Sequence, residues 1–284
     1  MIKLIECPRD AMQGLHAFIP TSEKVKYLNQ LLQVGFDTLD FGSFVSPRAV
    51  PQMRDTPDVI AQLNWQSNST KLLAIVANLR GAEQAVQFEG ITYLGFPLSI
   101  SETFQQRNTN KSISEALDTV VDIQELCAKH NKEQVVYISM AFGNPYGDPY
   151  SDDAVIQFAG ILGDLGVGIV SLADTIGAAA PHEVSFLYKQ VSRALPELEI
   201  GLHLHARPDE VSDKVSAALE AGCKRIDGAL KGFGGCPMAQ DKLVGNIPTE
   251  KIIEWMENKR IETGLNKTEL NKALAMASEI FPNA

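Results

Sequence analysis

The sequence predicts an α/β protein, a closed (β/α)8 TIM barrel with an additional C-terminal helix. Three observations carry that reading. Short apolar runs alternate with longer amphipathic stretches eight times along the chain. The 284 residues, 45% of them hydrophobic, suffice for one core of the size such barrels take, about 250 residues. Polar motifs follow nearly every apolar run, where a barrel places its working face. An open doubly wound sheet is the runner-up, and it leaves that last observation without a cause. There is no low-complexity tract and no linker, so residues 1–284 are expected to form a single domain.

The strand candidates are 2–6, 37–41, 71–76, 91–95, 134–139, 168–172, 200–205 and 224–228. Between and after them lie helix candidates at 22–34, 55–63, 79–88, 112–130, 151–165, 181–194, 208–221 and 249–260, with a further helix at 267–280. Thr21-Ser22-Glu23 and Ser114-Glu115 supply hydroxyl or acidic groups near helix starts. Pro181 and Pro208 suit a first helical turn, and Gly35, Gly166 and Gly222 stand where helices should stop. Residues 96–111 show no clear period and read as a long loop.

Composition narrows the function classes. A formal net charge of -10 argues against a nucleic-acid or anionic-membrane surface, since either needs a clustered basic face. The start of the chain reaches Glu6 too soon for a secretory core, and no apolar run approaches a membrane span, so a cytoplasmic address is expected. The four cysteines, Cys7, Cys127, Cys223 and Cys236, form no CxxC pair, which removes zinc knuckles and dithiol redox chemistry.

Chemistry concentrates in Ile200-Gly201-Leu202-His203-Leu204-His205. Alternate side chains of a strand share a face, so His203 and His205 point the same way, and the chain has only five histidines. Two imidazoles side by side can hold a metal, although a half-buried strand that simply hydrogen-bonds both is the plainer account. Asp10, just past the first strand, faces the same mouth once a barrel closes. Arg9 beside it holds the carboxylate ionised and offers a fixed donor to an oxyanion. Asn246 offers a neutral oxygen. Such a nitrogen and oxygen set suits a six-coordinate divalent cation, Mg2+ or Mn2+. Asp40 and Asp174 each read as ligand support, general base or helix cap. Glycines from Gly232 to Gly235 permit a loop that carries Cys236 over the site, although burial is the commoner role of a lone cysteine. Arg48, Lys231 and Lys242 lie on loops suited to phosphates.

The ordered set Pro8-Arg9-Asp10 with Gln13, Ser43-Phe44-Val45-Ser46-Pro47, Asp174-Thr175-Ile176-Gly177, His203-Leu204-His205, Gly234-Gly235-Cys236-Pro237 and Gly245-Asn246 resembles 3-hydroxy-3-methylglutaryl-CoA lyase. The resemblance runs from residue 2 to about residue 255 and includes the wider superfamily of metal-dependent lyases and synthases. It implies a barrel that binds one divalent cation and cleaves an acyl-CoA into acetyl-CoA and acetoacetate. The ligands would be Asp10, His203, His205 and Asn246. Arg9 would stabilise the enolate oxygen, and Cys236 or His203 would return a proton. Asp40 and Asp174 would complete the catalytic group, with Gln13 and Ser139 binding substrate. The partner implied is a small-molecule acyl-CoA, with room for a homo-oligomer, in leucine catabolism and ketone body metabolism.

Three departures stand out. The family pattern carries glutamate where this chain has Asp40, one methylene shorter. It carries an acidic and then a small polar residue where Ala206-Arg207-Pro208 follow the histidines, and glycine where Ala11 follows Asp10. They leave open a sister enzyme acting on a different 3-hydroxyacyl-CoA or 2-oxo acid. A barrel that binds acyl-CoA or protein without catalysis predicts a damaged ligand set, yet all four ligand positions are filled.

Overall fold

The computed structural model describes residues 1–235 and 244–281. Eight strands, β1 (Lys3–Glu6), β2 (Thr38–Ser43), β3 (Lys71–Ile75), β4 (Ile91–Ser99), β5 (Glu133–Ser139), β6 (Ile169–Asp174), β7 (Glu199–Leu204) and β8 (Arg225–Gly228), pair in parallel, each with the next. β8 also pairs with β1, Lys3 opposite Arg225 and Glu6 opposite Gly228, which closes the barrel and rules out the open sheet. Covered on both faces, the strands are buried almost throughout, as parallel strands must be when helices pack outside them.

Around the barrel run α1 (Pro8–Gln13), α2 (Thr21–Leu32), α3 (Thr56–Ile60), α4 (Leu79–Ala85), α5 (Glu102–Thr109), α6 (Ile113–Lys129), α7 (Asp152–Asp164), α8 (Pro181–Ala194), α9 (Val211–Glu220), α10 (Thr249–Asn258) and α11 (Lys267–Ile280). Local chemistry sets their ends. Ser112 and Glu115 form a capping box at α6, and Pro181 occupies the first turn of α8. The additional helix α11 docks on α2, where Gln30 Nε2 donates to the Glu269 carbonyl at 3.0 Å and to its carboxylate at 2.8 Å.

Several boundaries differ from expectation. Instead of a loop at 96–111, β4 runs on to Ser99 and α5 follows. The Ser101 hydroxyl accepts the Phe104 amide at the start of α5, and Asn110 ends it in the left-handed conformation. The expected helix 55–63 shrinks to α3, and that at 208–221 starts only at Val211, with Pro208 ahead of it. The helix α1 was not foreseen. It places Ala11 in a helical turn, so the residue after Asp10 needs no positive φ.

Among the described residues, the two larger apolar regions lie on either side of the strands. The larger lies between strands and helices. Inside the barrel, Leu73, Ile75, Tyr93, Val135, Tyr137 and Ile169 pack together. The opposite inner wall is charged, with Glu199 accepting from Lys3 at 2.6 Å and from Arg225 at 3.2 Å. α4 lies so close to the loop after β2 that a Cβ on Gly81 would collide with the Phe44 carbonyl oxygen.

Candidate metal centre

At the carboxyl end of the barrel, Asp10, His203 and His205 converge, each offering one ligand atom, all within 4.8 Å of one another. Strand alternation brings the two imidazoles into the mouth, edge to face with centroids 5.1 Å apart. Asp10 arrives on α1, directly after β1. Asn246 arrives because the segment after β8 turns back against β7, where it forms a bridge with His205. The Ala206 amide donates to the Gly245 carbonyl at 3.0 Å, and Ile247 to Leu204 at 3.3 Å. Asn246 Nδ2 then donates to Asp10 Oδ2 at 2.6 Å and to the Phe233 carbonyl at 2.8 Å.

Hydrogen bonds fix which imidazole nitrogen faces the site. His205 Nδ1 lies 3.0 Å from the Thr175 carbonyl oxygen. A carbonyl only accepts, so Nδ1 carries the proton and Nε2 the lone pair. That Nε2 is buried and has no partner among the described residues. His203 Nδ1 lies 3.0 Å from Asp227 Oδ2, which favours the same tautomer. A buried lone pair left empty beside a carboxylate and a second imidazole fits a cation.

Arg9 organises the acidic groups. Its Nε donates to both oxygens of Asp40, at 3.2 and 3.0 Å, and Nη2 adds a bond to Asp40 Oδ2 at 2.6 Å. Nη1 donates to Asp10 at 3.1 Å and to Gln13 Oε1 at 2.8 Å, while Gln13 Nε2 donates to Asp10 at 2.6 Å. A guanidinium has five N–H groups, so one on Nη2 has no partner among the described residues.

Burial would raise the Asp10 carboxyl, but Arg9, the two histidines and the Asn246 amide hold it down at about 2. Burial pushes Asp40 up to about 6 against the pull of Arg9. His205 is lowered by burial and by the neighbouring His203. His203 is raised despite burial, because Asp227 and Asp10 outweigh it. Asp10 and Asp40 thus share one guanidinium while Asp227 pairs with His203, a concentration of buried carboxyl groups that favours a bound cation. Cys7, His203 and Asp227 also converge, but burial and the surrounding carboxylates push the Cys7 thiol well up and keep it neutral.

Arg9, Asp10, Asp40, His203, His205 and Asp227 line a cavity of about 500 Å3, and Ser139 and Gln13 line it too. Its apolar wall includes Val45, Val50, Ile75 and Phe104. Asp174 does not line it. The carboxylate accepts Lys214 Nζ at 2.9 Å, the Ala178 amide at 2.9 Å and the Ala179 amide at 3.2 Å, and so anchors the loop after β6. Among the basic groups expected near phosphates, Arg48 and Lys231 do not line the cavity, and Lys231 Nζ instead contacts Ser278 on α11. Arg107 and Lys111, from the stretch read as a loop, do line it. Cys236 and Lys242 lie outside the described residues. Sequence reasoning missed Asp227, although strand alternation across 224–228 would have set it beside His203. The Thr175 carbonyl left no readable signal, because any residue type supplies one.

Residues 2–276 match the family model described as HMGL-like. The chain is 34% identical over 273 residues to the hydroxymethylglutaryl-CoA lyase YngG of Bacillus subtilis, covering 96% of this chain and 89% of the relative. It is 31% identical over 266 residues to a 3-hydroxy-3-isohexenylglutaryl-CoA/hydroxymethylglutaryl-CoA lyase of Pseudomonas aeruginosa, covering 93% and 88%. Among solved structures, an HMG-CoA lyase from Bacillus subtilis superposes with a TM-score of 0.92 at 31% identity, covering 99% and 94% of the two chains. A lyase from Acinetobacter baumannii, solved with coenzyme A and 3-methylmalate, superposes with a TM-score of 0.91 at 28% identity, covering 100% and 92%.

Proposed function

Since the chain belongs to the HMGL-like family, we propose that its barrel mouth cleaves 3-hydroxy-3-methylglutaryl-CoA into acetyl-CoA and acetoacetate. It is a carbon–carbon lyase. The observation that carries the site assignment is the buried Nε2 of His205, without a hydrogen-bond partner among the described residues, beside Asp10 and His203. Asp10, His203, His205 and Asn246 would hold one divalent cation, Mg2+ or Mn2+. When bound, that ion makes the tertiary hydroxyl of the substrate more acidic.

The remaining work falls to the side chains. Cleavage of the bond between C2 and C3 follows loss of the hydroxyl proton, leaves acetoacetate, and puts the electron pair on the enolate of acetyl-CoA. Arg9 aims its remaining Nη2 N–H at the developing enolate oxygen, and Asp40 grips the other side of the guanidinium so that it meets the charge without reorganising. Asp227 keeps His203 in the tautomer whose Nε2 faces the site. Gln13 and Ser139 touch the substrate from opposite sides of the mouth. Cys236, assigned from the sequence, returns the proton to the acetyl carbon; His203, the other candidate, has its Nδ1 proton on Asp227 and its Nε2 turned to the cation site. Asp174 acts as a support and takes no part in proton transfer.

We further propose that residues 1–284 act as one catalytic domain, in a homo-oligomer, at a cytoplasmic address, in leucine catabolism and ketone body metabolism. No helix of the described residues is long and apolar enough to cross a membrane. A substrate with a longer chain at C3 is the second reading. The apolar wall of the cavity favours it, as does the name of the Pseudomonas aeruginosa relative.

The deciding experiment measures acetoacetate release from 3-hydroxy-3-methylglutaryl-CoA with and without added Mg2+ or Mn2+, for the parent, Asp10→Asn and His203→Ala. Metal-dependent release that collapses in both variants is expected. Absence of turnover, with metal bound by the parent and lost in the variants, would retain the site and transfer the reaction to the longer substrate.

A further inference from the structure

Lys214 sits on α9, outside the ring of strands, and is 0% exposed. Its Nζ donates to Asp174 Oδ2 at 2.9 Å, to the Gly177 carbonyl at 3.0 Å and to the His205 carbonyl at 2.9 Å. An ammonium has three N–H donors, so all three are spent, on the last residue of β6 and on the segments that follow β6 and β7. The oxygens of Asp174 also hold the amides of Ala178 and Ala179. The turn from 174 to 179 is thereby fixed at both ends. Thr175, within that turn, offers its carbonyl to His205 Nδ1. His205 is held twice, by its own carbonyl and by its ring.

Ala206 and Arg207, the next residues along the chain, offer His205 no carboxylate. Support has to come from another element. A buried ion pair is a poor device for stability alone, because apolar residues of similar volume hold an interior as well or better. Exact placement of backbone carbonyls is what the pair accomplishes that apolar residues would not.

We propose that Lys214, paired with Asp174, is a positioning residue that fixes the His205 imidazole with its proton on Nδ1 and its Nε2 aimed into the site. The proposal rests on the reading of His205 as a metal ligand. It assigns to the Lys214–Asp174 pair the support that the residues after His205 do not supply.

The test uses the full chain with Lys214→Met. Because that variant leaves Asp174 buried without its partner, Lys214→Met/Asp174→Asn, which removes both charges, keeps the test sound if the single variant fails to fold. Long-range 15N–1H spectra of the histidine rings are recorded without metal, with His205 assigned through His205→Gln. In the parent, Nδ1 is protonated and Nε2 is not. In the variants the two nitrogens average, and Mn2+ binding measured by calorimetry weakens by about tenfold to a hundredfold. A folded double variant that keeps the parent's nitrogen pattern and its Mn2+ affinity would overturn the proposal and leave Lys214 a packing residue. A parent that binds no Mn2+ would end the metal reading itself, while the nitrogen spectra would still decide the role of Lys214.

Discussion

Replacing Glu6 by glutamine asks whether a neutral carboxylic acid joins β1 to the connection beyond β8. Glu6 is fully buried, its Oε1 accepting the Leu230 amide at 2.8 Å and its Oε2 meeting the Thr249 hydroxyl. Burial pushes the carboxyl from 4.5 up to about 8, and the two hydrogen bonds pull the other way without winning. Between those values the native state holds a proton that the unfolded chain has released. Stability therefore falls as pH rises through this window, by about 1.4 kcal/mol for each pH unit, or roughly 5 kcal/mol in all. Below the ordinary value the cost vanishes, and above about 8 it is complete. Glutamine is neutral throughout, can accept from Leu230, and can donate to Thr249 Oγ1. Glu6→Gln should match the parent near about pH 4 and exceed it by up to about 5 kcal/mol near about pH 9. Urea unfolding at closely spaced pH values reads the difference directly, because other groups contribute equally to both proteins. Parallel curves for parent and variant would mean that Glu6 ionises as it does in water, and the reasoning would be wrong.

Three further outcomes follow from distances given above. Asp227→Asn keeps the volume but lets His203 take either tautomer, so Mn2+ affinity should drop about tenfold to a hundredfold; an unchanged calorimetric affinity would show that the ring needs no such partner. Arg9→Lys loses the fork that grips Asp40 and the free N–H aimed at the enolate. Turnover should fall on the order of a hundredfold to a thousandfold with substrate affinity less affected, read from kcat and KM separately. Gly81→Ala drives a methyl group into the Phe44 carbonyl, and should cost about 1–3 kcal/mol by thermal or urea unfolding; no loss would mean that α4 can slide away from the β2 loop.

Most of the barrel was legible because its strands are short apolar runs that recur with turn residues between them, and all eight fall within a few residues of expectation. What escaped reading was polar structure. α5 contains only Phe104 and Gln105 as buried residues, so it has almost no apolar period. Its sole signals are the caps Ser101 and Asn110. Pro97 also disguised the end of β4, since proline reads as a strand breaker. The residues proposed as metal ligands stood out because imidazole and carboxylate are recognisable at strand ends. Their supports could not be ranked, because Asp174 and Asp227 look alike in sequence, yet one faces Lys214 and the other His203. The Asp40 departure turned out benign for Arg9, as the shorter carboxylate still reaches the guanidinium with both oxygens.

The bond between Asp10 and Asn246 joins residues 236 positions apart. A ribosome delivering this chain therefore exposes Asp10 long before Asn246, with seven of the eight strands made in between. Seven strands, β2 to β8, can emerge and begin to collapse while the proposed cation site still lacks at least one of its four ligands. On the proposed ligand set, acquisition of the ion comes after the strands are made, and a chain stopped between β8 and Asn246 would compete poorly for the metal however well its strands had packed.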